Sequence, residues 1–120
     1  MSVRAVRGAV QLLGDSKAEM ATEIPALLDE MLGANGLTQE SVISILFTAT
    51  PDLVSDFPAT AARSAGWSDV PLMCAVEINV AHALPRVIRI LLHAESDLPR
   101  AAITHIYRGG AKALRPDLTS

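Results

Sequence analysis

A single amphipathic helix has to cover several strands in this chain, and that imbalance constrains the fold more than any other feature of the sequence. After Ser16, apolar residues recur at helical spacing at Met20, Ile24, Leu27, Leu28, Met31 and Leu32. Ser16 and Glu19 have the spacing of a capping box, and Asn35-Gly36 is typical of a helix end. The sequence therefore predicts one long helix that covers one face of a sheet.

The rest of the chain carries apolar runs that are typical of β-strands. The clearest are residues 3–12, 42–50, 71–80 and 86–96. Residues 103–107 fit either a fifth strand or the end of a helical turn, because their periodicity does not decide between the two. Gly8 predicts a bulge or a close backbone approach in the first run. The run "VISILFTAT" predicts a strand buried on both faces, and residues 57–67 predict a short helix.

Together these elements predict an α+β fold in a single domain of residues 1–120. A domain of this size buries only about two-thirds of the surface that its unfolded chain exposes. The predicted helix covers one sheet face, so the second face needs another cover. Identical subunits in a small closed ring are the predicted solution.

The charge and cysteine content exclude several classes of protein. A net charge of -3 and a pI near 5.5 argue against a nucleic-acid-binding surface. The longest charge-free apolar stretch, within residues 41–51, is too short to span a membrane. Cys74 is the only cysteine, which excludes an internal disulfide, and the N-terminal residues lack the pattern of a signal peptide. We expect a soluble, cytoplasmic protein that binds neither nucleic acid nor membrane.

Two of the apolar runs carry an ionisable residue where strand propensity would favour valine. These residues are Glu77 and Arg89. In a regular strand Arg89 shares a face with Val87, Leu91 and His93. A buried guanidinium requires an anionic or strongly accepting partner. A structural ion pair between Glu77 and Arg89 is one interpretation, and a site for an anionic ligand is the other.

The use of basic residues mildly favours the ligand site. The chain has eight arginines and two lysines, and the planar guanidinium suits carboxylates and phosphates. His82, His93 and His105 lack the spacing of a zinc motif, and the lone Cys74 is more typical of a small buried residue than of a nucleophile. We therefore predict no metal site. Cys74 and Glu77 point to opposite faces if their strand is regular.

Six segments resemble, in order and from end to end, the monofunctional, trimeric α/β-barrel chorismate mutases of the Bacillus type. They are "VRAVRGA" at 3–9, "TATPDL" at 48–53, "FPATAAR" at 57–63, "GWSDVPLMCAVEINV" at 66–80, "RVIRIL" at 86–91 and "LRPDL" at 114–118. The resemblance implies a homotrimer in which mixed β-sheets form a pseudo-α/β barrel with active sites between subunits. It also implies a cofactor-free isomerase of aromatic amino-acid biosynthesis, which converts chorismate to prephenate by a pericyclic (Claisen) rearrangement without a covalent intermediate.

The same resemblance assigns roles to individual residues. Arg7 and Tyr107 are similar to the family's ligands for the substrate carboxylates. Glu77 resembles the acceptor for the ring hydroxyl, and Arg89 the donor to the ether oxygen. Cys74 resembles a contact on the hydroxyl side. The other matched positions are Phe57, Ala59 and Leu72 in the apolar wall, Leu114 in the tail, and Arg63 and Arg115 at the mouth.

The chain departs from the family's pattern at two of these positions. Thr60 stands where the family has a lysine, and Met73 where it usually has a threonine, so a charge at the rim and one polar contact are missing. In the family the segment around Phe57 and Cys74 belongs to the neighbouring subunit. The opposite facing of Cys74 and Glu77 agrees with that division, because one strand can then line two sites.

Two other functions are compatible with the residues. A trimeric small-molecule-binding or regulatory protein could keep the same fold and arginine pocket without the mutase activity, and the enamine or imine deaminases are similarly built. The segments "TATPDL" and "LRPDL" disfavour the deaminases.

Overall fold

The computed structural model describes residues 1–114, and within them a five-stranded sheet packs against two α-helices. The strands are β1 (Ser2–Gln11), β2 (Val42–Ala49), β3 (Leu72–Val76), β4 (Val87–Ser96) and β5 (Ile106–Arg108), and the helices are α1 (Lys17–Ala34) and α2 (Pro58–Ala62). Helix α1 has 18 residues, about five turns. The predicted long helix is therefore a helix of moderate length, accompanied by a short one.

The strands follow the order β3-β2-β4-β1-β5 across the sheet. Strand β4 pairs antiparallel with both β1 and β2, whereas the two edge pairs, β2 with β3 and β1 with β5, are parallel. The predicted mixed sheet and α+β class are confirmed. The ambiguous run at 103–107 is a strand only from Ile106 onward, and its pairing with β1 is what decides its conformation.

The ends of α1 follow their sequence signals, with one difference. Ser16 Oγ accepts a hydrogen bond from the Glu19 amide at 3.2 Å, as the capping pattern predicts. The Glu19 carboxylate instead accepts from the amides of Leu13 and Gly14, at 2.7 Å and 3.1 Å, so it fastens the preceding turn to the helix. At the other end the helix stops at Ala34, before Asn35.

Helix α1 covers one face of the sheet and forms the core with it. Its buried residues are Met20, Ile24, Leu27, Leu28 and Met31. Beneath them lie Val6 and Val10 of β1, Phe47 of β2 and Ile90 of β4, all buried. Gly8 lies in this contact, where a Cβ would collide with the Met31 sulfur. The register of β1 with β4 is continuous through Gly8, so the glycine marks a close approach and not a bulge.

The opposite face of the sheet has no α-helix over it among residues 1–114, and we call it the open face. The short 3₁₀ helix at Gly109–Ala113 packs on one part of it, where Ala111 contacts the cluster of Ala9 and Tyr107. Along β2, Ile45 and Phe47 are buried against the helices, whereas Leu46 and Thr48 on the open face are only half-buried. The prediction that this strand is buried on both faces is therefore wrong for the single chain. The apolar run reflects a face that still needs a cover.

Strand β3 is shorter than predicted. Pairing with β2 ends at Val76, and the predicted continuation to Val80 leaves the sheet. The Glu77 amide still donates to the Ala49 carbonyl at 2.9 Å, which places Glu77 directly beyond the strand end. No helix within residues 1–114 combines the length and apolar character that crossing a membrane requires.

Candidate active site

Three predicted site residues meet on the open face because of the strand register. Arg89 of β4 lies opposite Ala9 of β1, and Tyr107 of β5 pairs with the same alanine from the other side. Arg7 lies two residues before Ala9, so it projects from the same face. The small Ala9 side chain leaves space between these larger ones. Arg7, Arg89 and Tyr107 line a cavity of about 340 Å³ together with Leu46, Thr48 and Leu91.

Glu77 joins this group through an ion pair. Arg89 Nε lies 3.1 Å from Glu77 Oε2, with 52% of the arginine side chain exposed and 17% of the glutamate side chain. Such a half-exposed pair contributes at most about 1 kcal/mol to stability. Stability alone is therefore a weak reason for placing two charges in these apolar runs. The pair is made through Nε of the guanidinium, and the arginine also lines the cavity.

Thr48 belongs to the same cluster, and the sequence reasoning did not select it. Its Oγ1 donates to Glu77 Oε2 at 2.6 Å. The register places Thr48 directly between Arg89 of β4 and Ala75 of β3. A hydroxyl inside an otherwise apolar strand was the available signal, but its partner is 29 residues away.

The surroundings of Arg7 and Tyr107 hold both residues in place. The Arg7 amide donates to His105 Nδ1 at 2.9 Å, at the point where the chain enters β5. Tyr107 is buried in a small apolar cluster with Ala9 and Ala111. Leu114, the predicted tail contact, packs against that cluster. The other predicted tail residue, Arg115, lies outside the described residues.

The residues predicted for the neighbouring subunit form a second group near the β3 edge. Cys74 Sγ accepts a hydrogen bond from the Ala59 amide at 3.3 Å, at the start of α2. Phe57 and Cys74 line a separate cavity of about 590 Å³. Cys74 is in register with the buried Phe47 and so faces the helices, whereas Glu77 binds Arg89 on the open face. The predicted opposite facing of Cys74 and Glu77 is confirmed.

The remaining predicted residues lie around these two groups. Leu72 and Met73 line a further cavity beside His93 on the open face. Met73 is exposed, and Leu72 is half-buried against the core. On α2, Thr60 Oγ1 accepts from Arg63 Nη2 at 3.3 Å, and the Arg63 side chain is otherwise exposed.

The segment "TATPDL" has a structural task at the start of β4. The buried Thr50 exchanges two hydrogen bonds with Val87: its amide donates to the Val87 carbonyl at 3.0 Å, and its Oγ1 accepts from the Val87 amide at 3.1 Å. The Asp52 carboxylate accepts from the Arg86 amide at 3.0 Å, where Arg86 has a φ of 55°. This turn fixes the backbone three residues before Arg89.

Asp15 fastens the loop that leads to Phe57. Its carboxylate accepts from the amides of Val54 and Ser55 at 3.1 Å and 3.0 Å. The side chain of Ser55 and these two amides lower the pKa of Asp15 below its ordinary value. The loop therefore depends on a charged Asp15 at neutral pH.

Comparison with known proteins identifies the family of this chain. Residues 3–118 match the family model described as chorismate mutase type I. The chain belongs to the chorismate mutase type I family. It is 43% identical over 119 residues to chorismate mutase AroH of Thermus thermophilus, a match that covers 98% of each chain. It is 36% identical over 120 residues to chorismate mutase AroH of Bacillus subtilis (strain 168), covering 99% of this chain and 94% of that one.

A solved structure supports the same assignment. The fold is similar to chorismate mutase from Clostridium thermocellum, with a TM-score of 0.87 and 42% identity, covering 91% of this chain and 97% of the other. The resemblance to chorismate mutases in the sequence is thereby confirmed. As a chorismate mutase type I chain, it is assigned to the isomerases, and the deaminase alternative is set aside.

Proposed function

We propose that this chain catalyses the conversion of chorismate to prephenate in aromatic amino-acid biosynthesis, with Arg89, Glu77 and Arg7 at the centre of the site. The observation that carries the proposal is the position of Arg89. Glu77 holds one edge of its guanidinium at 3.1 Å, while the half-exposed side chain borders the cavity that Arg7 and Tyr107 also line. Membership of the chorismate mutase type I family indicates the reaction, and the placement of Arg89 at the cavity indicates which residue acts on the substrate.

The reaction suits a site without a nucleophile. One carbon–oxygen bond breaks while a carbon–carbon bond forms within the same molecule, so no general base is required. Catalysis then depends on holding the reactive conformer and on donors aimed at the negative charge that grows on the ether oxygen. Arg89 is the proposed donor. Its position within β4 fixes the backbone and the contact with Glu77 orients the guanidinium, so little reorganisation is required during the reaction.

The other residues of the cavity bind the ends of the substrate. Chorismate is a dianion, whereas the chain carries a net charge of -3, so binding needs a local concentration of positive charge. Arg7 and the Tyr107 hydroxyl are the proposed ligands for the carboxylates. Glu77 accepts a hydrogen bond from the ring hydroxyl. This arrangement uses the ion pair twice, once to orient Arg89 and once to orient the ring.

We further infer a homotrimer with a pseudo-α/β barrel, a single domain per chain and one site at each subunit interface. The open face supports this inference, because no α-helix covers it within residues 1–114. Exposed apolar side chains near the β3 edge also support it: Phe57 is 68% exposed, Val76 71% and Ile78 84%. The group around Phe57 and Cys74 would then complete the Arg89 cavity of the next subunit. The predicted cytoplasmic location stays a prediction.

The decisive experiment follows the ultraviolet absorbance of chorismate in the presence of purified protein. Decay of the chorismate signal with formation of prephenate supports the proposal, and a folded protein that leaves chorismate unchanged contradicts it. That outcome would favour the small-molecule-binding alternative. Sedimentation of the same sample tests the trimer, because a stable and active monomer would contradict the proposed interface sites.

A further inference from the structure

We propose that Thr48 is a positioning residue for the reaction, an inference that rests on the proposed function. Its hydroxyl fixes the Glu77 carboxylate so that one oxygen holds Arg89 while the other is available to the substrate. Thr48 Oγ1 lies 2.6 Å from Glu77 Oε2, and Arg89 Nε lies 3.1 Å from that same oxygen. The hydrogen bond from Thr48 and the ion pair with Arg89 therefore fall on the same carboxylate oxygen.

The position of Glu77 in the chain explains why it needs a second support. Regular pairing of β3 stops at Val76, and the Glu77 backbone is tied to β2 by the bond of its amide to Ala49 at 2.9 Å. A long side chain at a strand end has several accessible rotamers. Thr48, by contrast, lies inside β2 with strands on both sides. As a β-branched residue it has a restricted χ1, so its hydroxyl is a fixed point for the carboxylate.

The division of contacts on Glu77 matches what the reaction needs. Within residues 1–114, the hydrogen bond and the ion pair of the carboxylate both fall on Oε2. A carboxylate accepts about four hydrogen bonds, so Oε1 keeps its capacity for a substrate hydroxyl. Arg89 likewise binds Glu77 through Nε, which leaves the Nη groups for the ether oxygen. Loss of the Thr48 hydroxyl would release the carboxylate and, with it, the orientation of the guanidinium.

A packing role for Thr48 makes different predictions from a positioning role. If only the shape of the side chain matters, Thr48→Val is neutral because valine is nearly isosteric, whereas Thr48→Ser is harmful because it loses the methyl group. If the hydroxyl positions Glu77, the order is reversed. A hydrogen bond to a charged group is stronger than one between neutral groups, so its removal should be measurable in the rate.

The experiment compares these two variants in steady-state turnover of chorismate. We expect Thr48→Val to lower kcat about 10-fold, or about 1.4 kcal/mol, with KM within about twofold of the parent. Thr48→Ser should keep kcat within about threefold, or about 0.7 kcal/mol. A Thr48→Val variant with parental kcat overturns the proposal, as does a Thr48→Ser variant that loses as much activity as Thr48→Val.

A double-mutant cycle with Glu77→Ala tests whether Thr48 acts through the carboxylate. Alanine removes both side-chain oxygens and therefore the acceptor of the Thr48 hydroxyl, and the residual turnover is followed at high enzyme concentration. We expect Thr48→Val to have less than half of its logarithmic effect on kcat in the Glu77→Ala background, because coupled residues are not additive. Equal effects in both backgrounds overturn the proposal.

Controls keep the two proposals separable. Sedimentation and circular dichroism establish that each variant keeps the fold and subunit number of the parent, and Thr48→Ala replaces Thr48→Val throughout if the valine variant does not fold. A folded parent that does not convert chorismate refutes the proposed function, and with it the role of Thr48. An active parent with an unimpaired valine variant refutes the role of Thr48 alone.

Discussion

Arg89 and Glu77 form an ion pair in which the two partners have different environments. The distance from Arg89 Nε to Glu77 Oε2 is 3.1 Å, but 52% of the arginine side chain is exposed against 17% of the glutamate side chain. Here the glutamate is the shielded support, and the arginine is the group presented to the cavity.

Replacing Arg89 by citrulline separates charge from shape. Citrulline keeps the planar group and most of its donors but removes the positive charge. Because the charge is proposed to act on the developing oxyanion, we expect kcat to fall about 1,000-fold, or about 4 kcal/mol, while KM rises much less. Steady-state kinetics on the folded variant check the result.

Arg89→Lys is the companion variant. It keeps the charge but loses the planar fork, so it should also be severely impaired. If either variant kept kcat within about threefold of the parent, or about 0.7 kcal/mol, Arg89 would be a structural residue and the proposed mechanism would be wrong.

Mixed subunits test whether each site combines two chains. Arg89→Ala removes the donor from one group, and Phe57→Asp places a carboxylate on an exposed residue of the other group, where it would repel a dianionic substrate. Each variant alone should be nearly inactive. After unfolding and refolding together, random pairing should regenerate about one quarter of the interfaces with both groups intact.

The measurement is the turnover of the mixed sample relative to the parent, with each variant refolded alone as the control. Native mass spectrometry has to show that mixed oligomers form. Mixed oligomers without recovered activity would indicate that the site lies within one chain.

Local patterns in the sequence predict much of this fold. The bounds of α1 follow from the cap at Ser16 and the apolar stripe, and the face of Arg89 follows from strand alternation. The sequence also predicts that Cys74 and Glu77 face opposite ways. These features depend on neighbours within a few residues along the chain, so they can be predicted from the sequence alone.

Other features depend on contacts that no local pattern contains. The hydrogen bond from Thr48 to Glu77 joins residues 29 apart, and the one from Arg7 to His105 joins residues 98 apart. The end of β3 at Val76 and the half-buried face of β2 depend on which strands pair and on what covers them. For the candidate site, the residue types could be predicted, but the division of the Glu77 contacts could not.

Gly8 is predicted to be essential for the packing of α1, with Gly33 as a matched control. A Cβ at position 8 would collide with the Met31 sulfur, whereas a Cβ at position 33 would meet nothing within 4 Å. We expect Gly8→Ala to lower the free energy of unfolding by about 1–3 kcal/mol, as overpacked cores do.

Gly33→Ala should raise the free energy of unfolding by up to about 1 kcal/mol, because alanine is the better helix former. Urea denaturation measures both variants. A Gly8→Ala variant as stable as the parent would show that Met31 moves aside at no cost, which would contradict a tight contact between α1 and β1.

Asp15→Asn is predicted to destabilise the protein in a manner that depends on pH. The Ser55 side chain and the amides of Val54 and Ser55 lower the pKa of Asp15 in the folded state below its ordinary value. A lowered folded-state pKa means that the stabilisation is fully present above the pKa of the unfolded chain and is lost as the pH falls through the folded-state pKa. The variant should therefore be less stable than the parent at pH 7, and the difference should shrink as the pH falls below about 4.

Urea denaturation at several pH values measures this difference, with Asp29→Asn on the exposed side of α1 as the control for removing a carboxylate elsewhere. A difference between parent and Asp15→Asn that stays constant from pH 7 to about pH 3 would show that the charge of Asp15 does not stabilise the loop before Phe57.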